Sequence, residues 1–352
     1  MFKRINGIQH IGVAVHDMDA SLKFYRKYFG MDIPFFDSVA AAPLMTIYTR
    51  DEVITKRASM ICNLQGGCAM EVIRPTSFEP TDMAFELRMG DLGITHTFIK
   101  STDVAASHAF CAANGAPGLT PLAALPNGDA TFSLKDLDGN IFQYLPYPTK
   151  YTDNGHHSLG AAGCSIGVSD MDTALGLYRD VLGYDKVVYD HTGTFDDWAN
   201  LPGGDQAYRR VMLTQSQQPG GGFAQVTGET FVELVMAQDR TGRKIYQDRQ
   251  WADPGFVHLG YDVRGMQALG EDLAKKGYGF TCDSNDALDM GNTKVHCVYI
   301  EDRDGTLLEL IEVYKVPIIE KWGVFLNVEK RDPLKPLPNF MLKALRFSRI
   351  RD

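Results

Sequence analysis

Residues 17–30, DMDASLKFYRKYFG, recur as residues 170–183, DMDTALGLYRDVLG, and this repeat determines how the chain is organised. Both copies begin with Asp and end with Gly, and a Tyr-Arg pair stands at the same place in each. Apolar residues recur at helical spacing between these ends. Asp17 is suited to cap the start of a helix and Gly30 to end it. We therefore predict a helix in each copy.

Two further pairs of segments extend the repeat. Residues 93–96, GITH, match residues 255–258, GFVH, and residues 135–140, KDLDGN, match residues 301–306, EDRDGT. All the matches occur in the same order in the two parts of the chain. This pattern indicates a duplicated domain.

Each half divides again into two units with the order strand, helix, strands. The predicted units cover residues 5–78, 92–148, 160–238 and 255–314. The polar segment 148–160 is typical of a linker. We expect an amino-terminal domain over residues 1–150, a carboxy-terminal domain over residues 158–315, and a carboxy-terminal extension over residues 316–352.

Two segments have a composition that sets them apart from the rest of the chain. Segment 192–230, rich in Gly, Gln and Asp, predicts a long loop that is either a lid over a site or an exposed insertion. The tail after Tyr314 carries nine Lys and Arg against four Asp and Glu, with an amphipathic stretch at residues 340–345. So short a helix more often packs on its own domain than binds a membrane surface.

Composition excludes several classes of protein. The 352 residues include 44 Asp and Glu against 35 Lys and Arg, so the formal net charge of −9 argues against nucleic acid as the main partner. No apolar run reaches the roughly 20 residues of a membrane span, and no secretory signal is visible at the start. Six cysteines without CxxC spacing are typical of reduced thiols. We expect a cytoplasmic globular protein with no membrane partner, either a monomer or a homodimer.

Four such units, with His on first strands and Glu on last strands, resemble the vicinal oxygen chelate superfamily. That group includes glyoxalase I, several epimerases, extradiol dioxygenases and bleomycin resistance proteins. The resemblance covers about residues 5–314, and its most specific parts are residues 9–15 (QHIGVAV), 24–30 (FYRKYFG) and 302–310 (DRDGTLLEL). It implies an α+β fold in which four tandem βαβββ modules form two glyoxalase-like half-open barrels. In this family, residues from first and last strands hold one divalent metal ion.

The resemblance implies two alternative sets of metal ligands. Pairing modules one and four gives His10, Glu71, His258 and Glu309. Pairing modules one and two gives His10, Glu71, His96 and Gln143. Two imidazoles and two carboxylates neutralise a divalent cation and suit one Zn, Ni, Co, Mn or Fe ion per chain, so the first set is the stronger candidate. Module three offers Glu233, but Gly163 stands where module one has its histidine.

The same resemblance implies a small-molecule substrate with vicinal oxygens. By position Glu309 is the catalytic base, with Glu71 facing it across the metal. Two carboxylates beside one carbon are suited to proton transfer, which favours an isomerase, epimerase or lyase of the glyoxalase I type. Two alternatives stay open. One is an Fe(II)-dependent extradiol dioxygenase, which needs two His and one carboxylate. The other is a metal-free resistance protein that sequesters a small molecule.

Three other residues have a weaker claim to a role. Arg209 and Arg210 could hold an anionic part of a substrate, although a solvated position is the more common one for arginine. Cys164, next to Gly163, is expected to be a small buried apolar residue.

Overall fold

The computed structural model describes residues 2–285, 288–289, 294–319, 324–328, 331–332 and 334–351; predicted modules one to three lie in this part of the chain, as does module four apart from residues 286–287 and 290–293. Module one contains β1 (Arg4–Ala14), α1 (Met18–Phe29), β2 (Ile33–Ala41), β3 (Thr55–Cys62) and β4 (Ala69–Pro75). Module two contains β5 (Gly93–Ser101), α2 (Val104–Ala113), β6 (Ala123–Ala124), β7 (Ala130–Thr131), β8 (Ser133–Lys135) and β9 (Ile141–Pro146).

Modules three and four repeat this order. Module three contains β10 (Ala161–Gly167), α3 (Met171–Tyr178), β11 (Lys186–Gly193), β12 (Tyr208–Thr214), α4 (Ala224–Thr227) and β13 (Phe231–Ala237). Module four contains β14 (Gly255–Arg264), α5 (Met266–Lys275), β15 (Cys282–Asp283), β16 (Leu288–Asp289), β17 (Lys294–Glu301) and β18 (Leu307–Ile319). The tail adds β19 (Val324–Asn327) and α6 (Asn339–Ala344).

The duplicated helices begin as the repeat predicts. The side chain of Asp17 accepts a hydrogen bond from the Ala20 amide at 3.0 Å, and Asp170 accepts one from the Thr173 amide at 2.7 Å. Gly30 follows α1 in the left-handed conformation, with φ of 61°. These contacts satisfy amide and carbonyl groups that a helix leaves free at its ends.

In each half of the chain, one buried tyrosine connects the two modules. The hydroxyl of Tyr25 on α1 donates to Asp136 of module two at 2.7 Å, and that of Tyr178 on α3 donates to Asp302 of module four at 2.9 Å. Burial is the main reason that the pKa of Asp136 is raised to about 6. The same Tyr–Asp hydrogen bond therefore occurs once in each half of the chain.

Each large sheet combines modules from the two halves of the chain. The ten-stranded sheet has the order β15-β17-β18-β14-β1-β4-β3-β2, with β16 on β17 and β19 on β18, so it joins modules one and four. The seven-stranded sheet has the order β11-β12-β13-β10-β5-β9-β8 and joins modules two and three, while β6 and β7 form a separate ribbon. The division at residues 150 and 158 thus describes the duplication in sequence, and as a boundary of folding units it stays a prediction.

Strand alternation separates the core from the cavity on the ten-stranded sheet. One face packs in the main hydrophobic core, which takes residues from all four modules and includes Ile11, Met70, Leu259 and Leu310. The residues next to these in the four central strands point the other way. Among them, His10, Glu71 and Glu309 line one side of a cavity of about 500 Å³.

Segment 192–230 is not the long loop that its composition predicts. It contains β12, which lies between β11 and β13 in the seven-stranded sheet and is mostly buried. The loop prediction was wrong for residues 208–214, because the Gly, Gln and Asp that suggested a loop lie in the stretches on either side of this strand. Residues 219–228 of the same segment contribute to the wall of the cavity.

The tail packs on the ten-stranded sheet. Leu342 and Leu345 are buried against Ile33 and Cys62 of module one. Among the described residues, no helix has the length and apolar character that crossing a membrane requires. All six cysteines are free, as predicted, and Cys164 is buried in the main core.

Candidate metal centre

The centre of the ten-stranded sheet is the antiparallel pair β1 and β14. In this pair, a histidine of each strand lies opposite a glycine of the other strand. His10 pairs with Gly260, and Gly12 pairs with His258. The parallel outer neighbours β4 and β18 each add a glutamate next to a glycine. The result is two adjacent rows across the sheet, Glu71–Gly12–His258 and His10–Gly260–Glu309.

The two glycines leave the space that the imidazole rings occupy. A Cβ atom at Gly12 would lie 2.4 Å from the ring of His258, and one at Gly260 would lie 2.4 Å from the ring of His10. Side chains cannot approach so closely, so each histidine requires a glycine on the neighbouring strand. The sequence carries this signal as His-x-Gly at residues 10–12 and again at residues 258–260.

Four ligand atoms converge over this part of the sheet. His10, Glu71, His258 and Glu309 each offer one, and these atoms lie within 4.8 Å of one another. The two Nε2 atoms are 2.9 Å apart, and the Oε2 atoms of the glutamates lie 3.2 to 3.7 Å from them. Metal bonds of about 2.0–2.2 Å place neighbouring ligand atoms about 3–3.5 Å apart. The donor set and its spacing therefore fit a divalent cation.

Both glutamates are held by the oxygen that faces away from this centre. Lys56 Nζ lies 3.2 Å from Glu71 Oε1, and the Tyr299 hydroxyl donates to Glu309 Oε1 at 2.7 Å. Each carboxylate thus keeps Oε2 for the centre. Contacts of this kind orient metal ligands and adjust their charge.

The histidines are positioned by neighbouring side chains. His10 Nδ1 lies 3.2 Å from Gln9 Oε1, which places a hydrogen on Nδ1 and leaves Nε2 free as a ligand. The ring of His258 is parallel to that of Trp251, with the ring centroids 6.5 Å apart, and Trp251 lines the cavity.

Burial opposes the charged forms of these groups, and their mutual contacts outweigh it. Burial alone would raise the pKa of Glu71, but Lys56 and His258 hold it below its ordinary value. Burial would likewise raise the pKa of Glu309, which the hydrogen bond with His10 lowers. The pKa of His10 is raised because both carboxylates outweigh its burial. The centre therefore holds two ionised carboxylates that attract positive charge.

The alternative set with His96 and Gln143 is not brought together. These residues lie on β5 and β9 of the seven-stranded sheet, whereas His10 and Glu71 belong to the ten-stranded sheet. His96 Nε2 lies 3.0 Å from Gln143 Oε1 and 3.9 Å from Glu233 Oε2. They form a separate cluster around Glu233, the residue offered by module three.

A guanidinium group occupies this second cluster. Arg210 is fully buried, and its Nε lies 2.7 Å from Glu233 while its two terminal nitrogens lie 2.8 and 3.0 Å from the carboxylate of Asp197. The guanidinium also stacks 3.7 Å from the ring centroid of Trp198. Burial, followed by the charge of Arg210, lowers the pKa of His96 to about 3. Arg210 therefore supplies the positive charge that a metal would supply in the first cluster.

The sequence did not reveal every residue that shapes these two clusters. Gly12, Gly260, Lys56 and Tyr299 were not singled out, although the repeated His-x-Gly could have identified the glycines. Arg210 was expected in a solvated position, because its carboxylate partners come from separate segments of module three.

Comparison with known proteins supports the architecture. Residues 7–144 match the model of the Glyoxalase/Bleomycin resistance protein/Dioxygenase superfamily. Glyoxalase I from Zea mays is 18% identical, with a TM-score of 0.55 over 88% of this chain and 92% of that one. A putative dioxygenase from Bacillus subtilis is 13% identical, with a TM-score of 0.58 over 88% and 86% of the two chains. At these identities the likeness shows the fold. No curated protein matches by sequence.

We predict that Gly12→Ala weakens divalent metal binding by at least about tenfold, because the new methyl group displaces the ring of His258 and misplaced ligands cost metal affinity. Titration with Co²⁺ followed by visible absorption measures this. Gly176→Ala is the matched control, since a Cβ there meets nothing within 4 Å. Equal affinity in the two variants would contradict the steric argument.

We predict that Arg210→Met lowers the free energy of unfolding by about 3–5 kcal/mol, because Glu233 and Asp197 become buried charges without a partner. Chemical denaturation gives this value. The metal content should stay at the wild-type level, since the substitution leaves the ten-stranded sheet unchanged. If the variant lost its metal and kept its stability, the placement of Arg210 in the cluster with Glu233 and Asp197 would be contradicted.

Proposed function

We propose that this chain is a divalent-metal-dependent enzyme of the glyoxalase, bleomycin resistance protein and dioxygenase superfamily, whose model matches residues 7–144. It binds a small molecule through two neighbouring oxygens and transfers a proton at an adjacent carbon, as an isomerase, epimerase or lyase of the glyoxalase I type. The proposed ligands are His10, Glu71, His258 and Glu309.

The observation that carries the proposal is the pair of glutamates that face each other across the two histidines. Each presents Oε2 to the centre while its Oε1 is held from behind. Two carboxylates with two imidazoles balance a divalent charge. They also place a base on either side of a carbon bound between them, which proton transfer requires.

The surroundings of the two carboxylates favour Glu309 as the base. Glu71 is paired with the ammonium group of Lys56, which keeps it ionised and fixed. Glu309 accepts from a neutral phenol, that of Tyr299. A carboxylate without a paired cation takes up a proton more readily, so Glu309 accepts it and Glu71 remains a ligand.

The cavity suits a small molecule. Apolar side chains, among them Phe35, Met60 and Trp251, line it and reduce the access of water to the carboxylates. A divalent ion held by the four ligands supplies a Lewis acid where negative charge develops on the substrate oxygens.

A second candidate is an Fe(II)-dependent extradiol dioxygenase. In this alternative Glu71 pairs with Lys56 and does not bind the metal, so the ligands are His10, His258 and Glu309, two imidazoles and one carboxylate. This is the ligand set of many Fe(II) oxygenases. Oxygen consumption with catechols would favour it.

We predict that protein purified without a chelator or His tag contains about one divalent metal ion per chain by elemental analysis. His258→Ala should lose it, because one of four ligands is removed, and so should His10→Ala. His96→Ala should retain it, because His96 belongs to the cluster with Arg210. Wild-type protein without metal, even after reconstitution, would overturn the proposal and favour a sequestering protein.

We predict that Glu309→Gln reduces exchange of substrate protons with D₂O at least about 100-fold, because the amide cannot act as a base. Mass spectrometry of α-hydroxycarbonyl compounds under nitrogen measures the exchange, and metal content checks that the centre is intact. Glu271→Gln, at an exposed position on α5, is the control. Undiminished exchange in Glu309→Gln would exclude Glu309 as the base.

A further inference from the structure

Lys56 adds a positive charge beside a site that itself binds a cation. It lies on β3, and its side chain is 18% exposed. Its Nζ is 3.2 Å from Glu71 and 5.4 Å from the ring centroid of Trp251, and the residue lines the cavity. Because like charges repel, Lys56 weakens metal binding. Besides orienting Glu71, Lys56 therefore brings a positive charge to the wall of the cavity.

The charge balance of the cavity wall indicates what Lys56 can bind. Two carboxylates neutralise a divalent ion, which leaves the ammonium group of Lys56 without compensation. The other acidic side chains of the described cavity wall each contact a basic side chain: Asp37 with Arg57 at 2.8 Å, Asp262 with Arg264 at 3.7 Å, and Asp332 with Lys335 at 3.8 Å. With the metal bound, the inner end of the cavity therefore favours an anion.

We propose that the substrate is a 2-hydroxycarboxylate with an apolar substituent, and that Lys56 selects its negative charge. This inference rests on the metal-dependent function proposed above. The hydroxyl and one carboxylate oxygen are the two neighbouring oxygens, and the single charge of the carboxylate balances Lys56. The apolar part of the cavity wall, which includes Phe35, Phe223 and Val313, accommodates the substituent.

Proton transfer at such a substrate increases its negative charge, and therefore its attraction to the ammonium group of Lys56. When the C–H bond beside the carboxylate breaks, the proton goes to Glu309 and the electron pair moves onto the carboxylate oxygens. The charge on the substrate thus rises from one to two. A cation placed where this charge develops stabilises the reaction more than it stabilises binding.

The test compares glycolate with glycolamide, its neutral amide, on protein loaded with Co²⁺. Both have two neighbouring oxygens, and their dissociation constants follow from changes in the visible absorption of cobalt. We expect wild-type protein to bind glycolate at least about tenfold more tightly, and Lys56→Met to lose that difference, because a hydrogen bond between two charged groups is stronger than one to a neutral group. Lys56→Arg should retain the preference.

Lys335→Met is the matched control, since it removes the same charge from a cavity residue whose side chain is 75% exposed. It should bind both ligands as the wild type does. Equal binding of glycolate and glycolamide by cobalt-loaded wild-type protein would overturn the inference alone. So would equal weakening of both ligands in Lys56→Met, because that result would mean displaced ligands rather than lost charge. Wild-type protein that takes up no cobalt would overturn the proposed function as well.

Discussion

The centre of this protein depends on a steric exchange between two antiparallel strands, in which each imidazole occupies the space that a glycine leaves open. Neither His10 nor His258 could stand over the sheet if the opposite strand carried a side chain at that level. The exchange fixes the register of β1 against β14, and with it the junction of modules one and four. On the neighbouring parallel strands β4 and β18, the glutamates that reach the histidines are the residues paired with these two glycines, Glu71 with Gly12 and Glu309 with Gly260. Sheet order, cavity and ligand cluster all follow from this junction.

The duplication has produced two solutions to one electrostatic problem. Both sheets bury acidic side chains near a first-strand histidine, and buried carboxylates require a positive partner. In the seven-stranded sheet the positive partner is the side chain of Arg210, which pairs with Asp197 and Glu233. In the ten-stranded sheet the carboxylates have only histidines and Lys56, and Lys56 reaches only one of them. One cluster is balanced within the chain, whereas the other has the residues that could hold a cation.

The sequence predicted the α+β class, the four modules, the helix ends and the preferred residue set, because repeats and short-range patterns carry that information. It could not decide which face of its strand Glu71 occupies, since alternation describes both faces equally well. The pairing of modules was equally open, because the contact between His10 and His258 joins residues far apart in the sequence. Arg210 was misjudged for a related reason. Its burial depends on Asp197 and Glu233, which only the folded chain brings to it.

The two rows of the centre are related by an approximate twofold axis that runs between β1 and β14, so each row presents a histidine, a glycine and a glutamate in mirrored order. A molecule lying on such an axis would meet a histidine and a glutamate from each side. The symmetry is broken behind the glutamates, where an ammonium stands on one side and a phenol on the other. The difference between the two sides of the centre therefore comes from the residues behind the ligands and not from the ligands themselves.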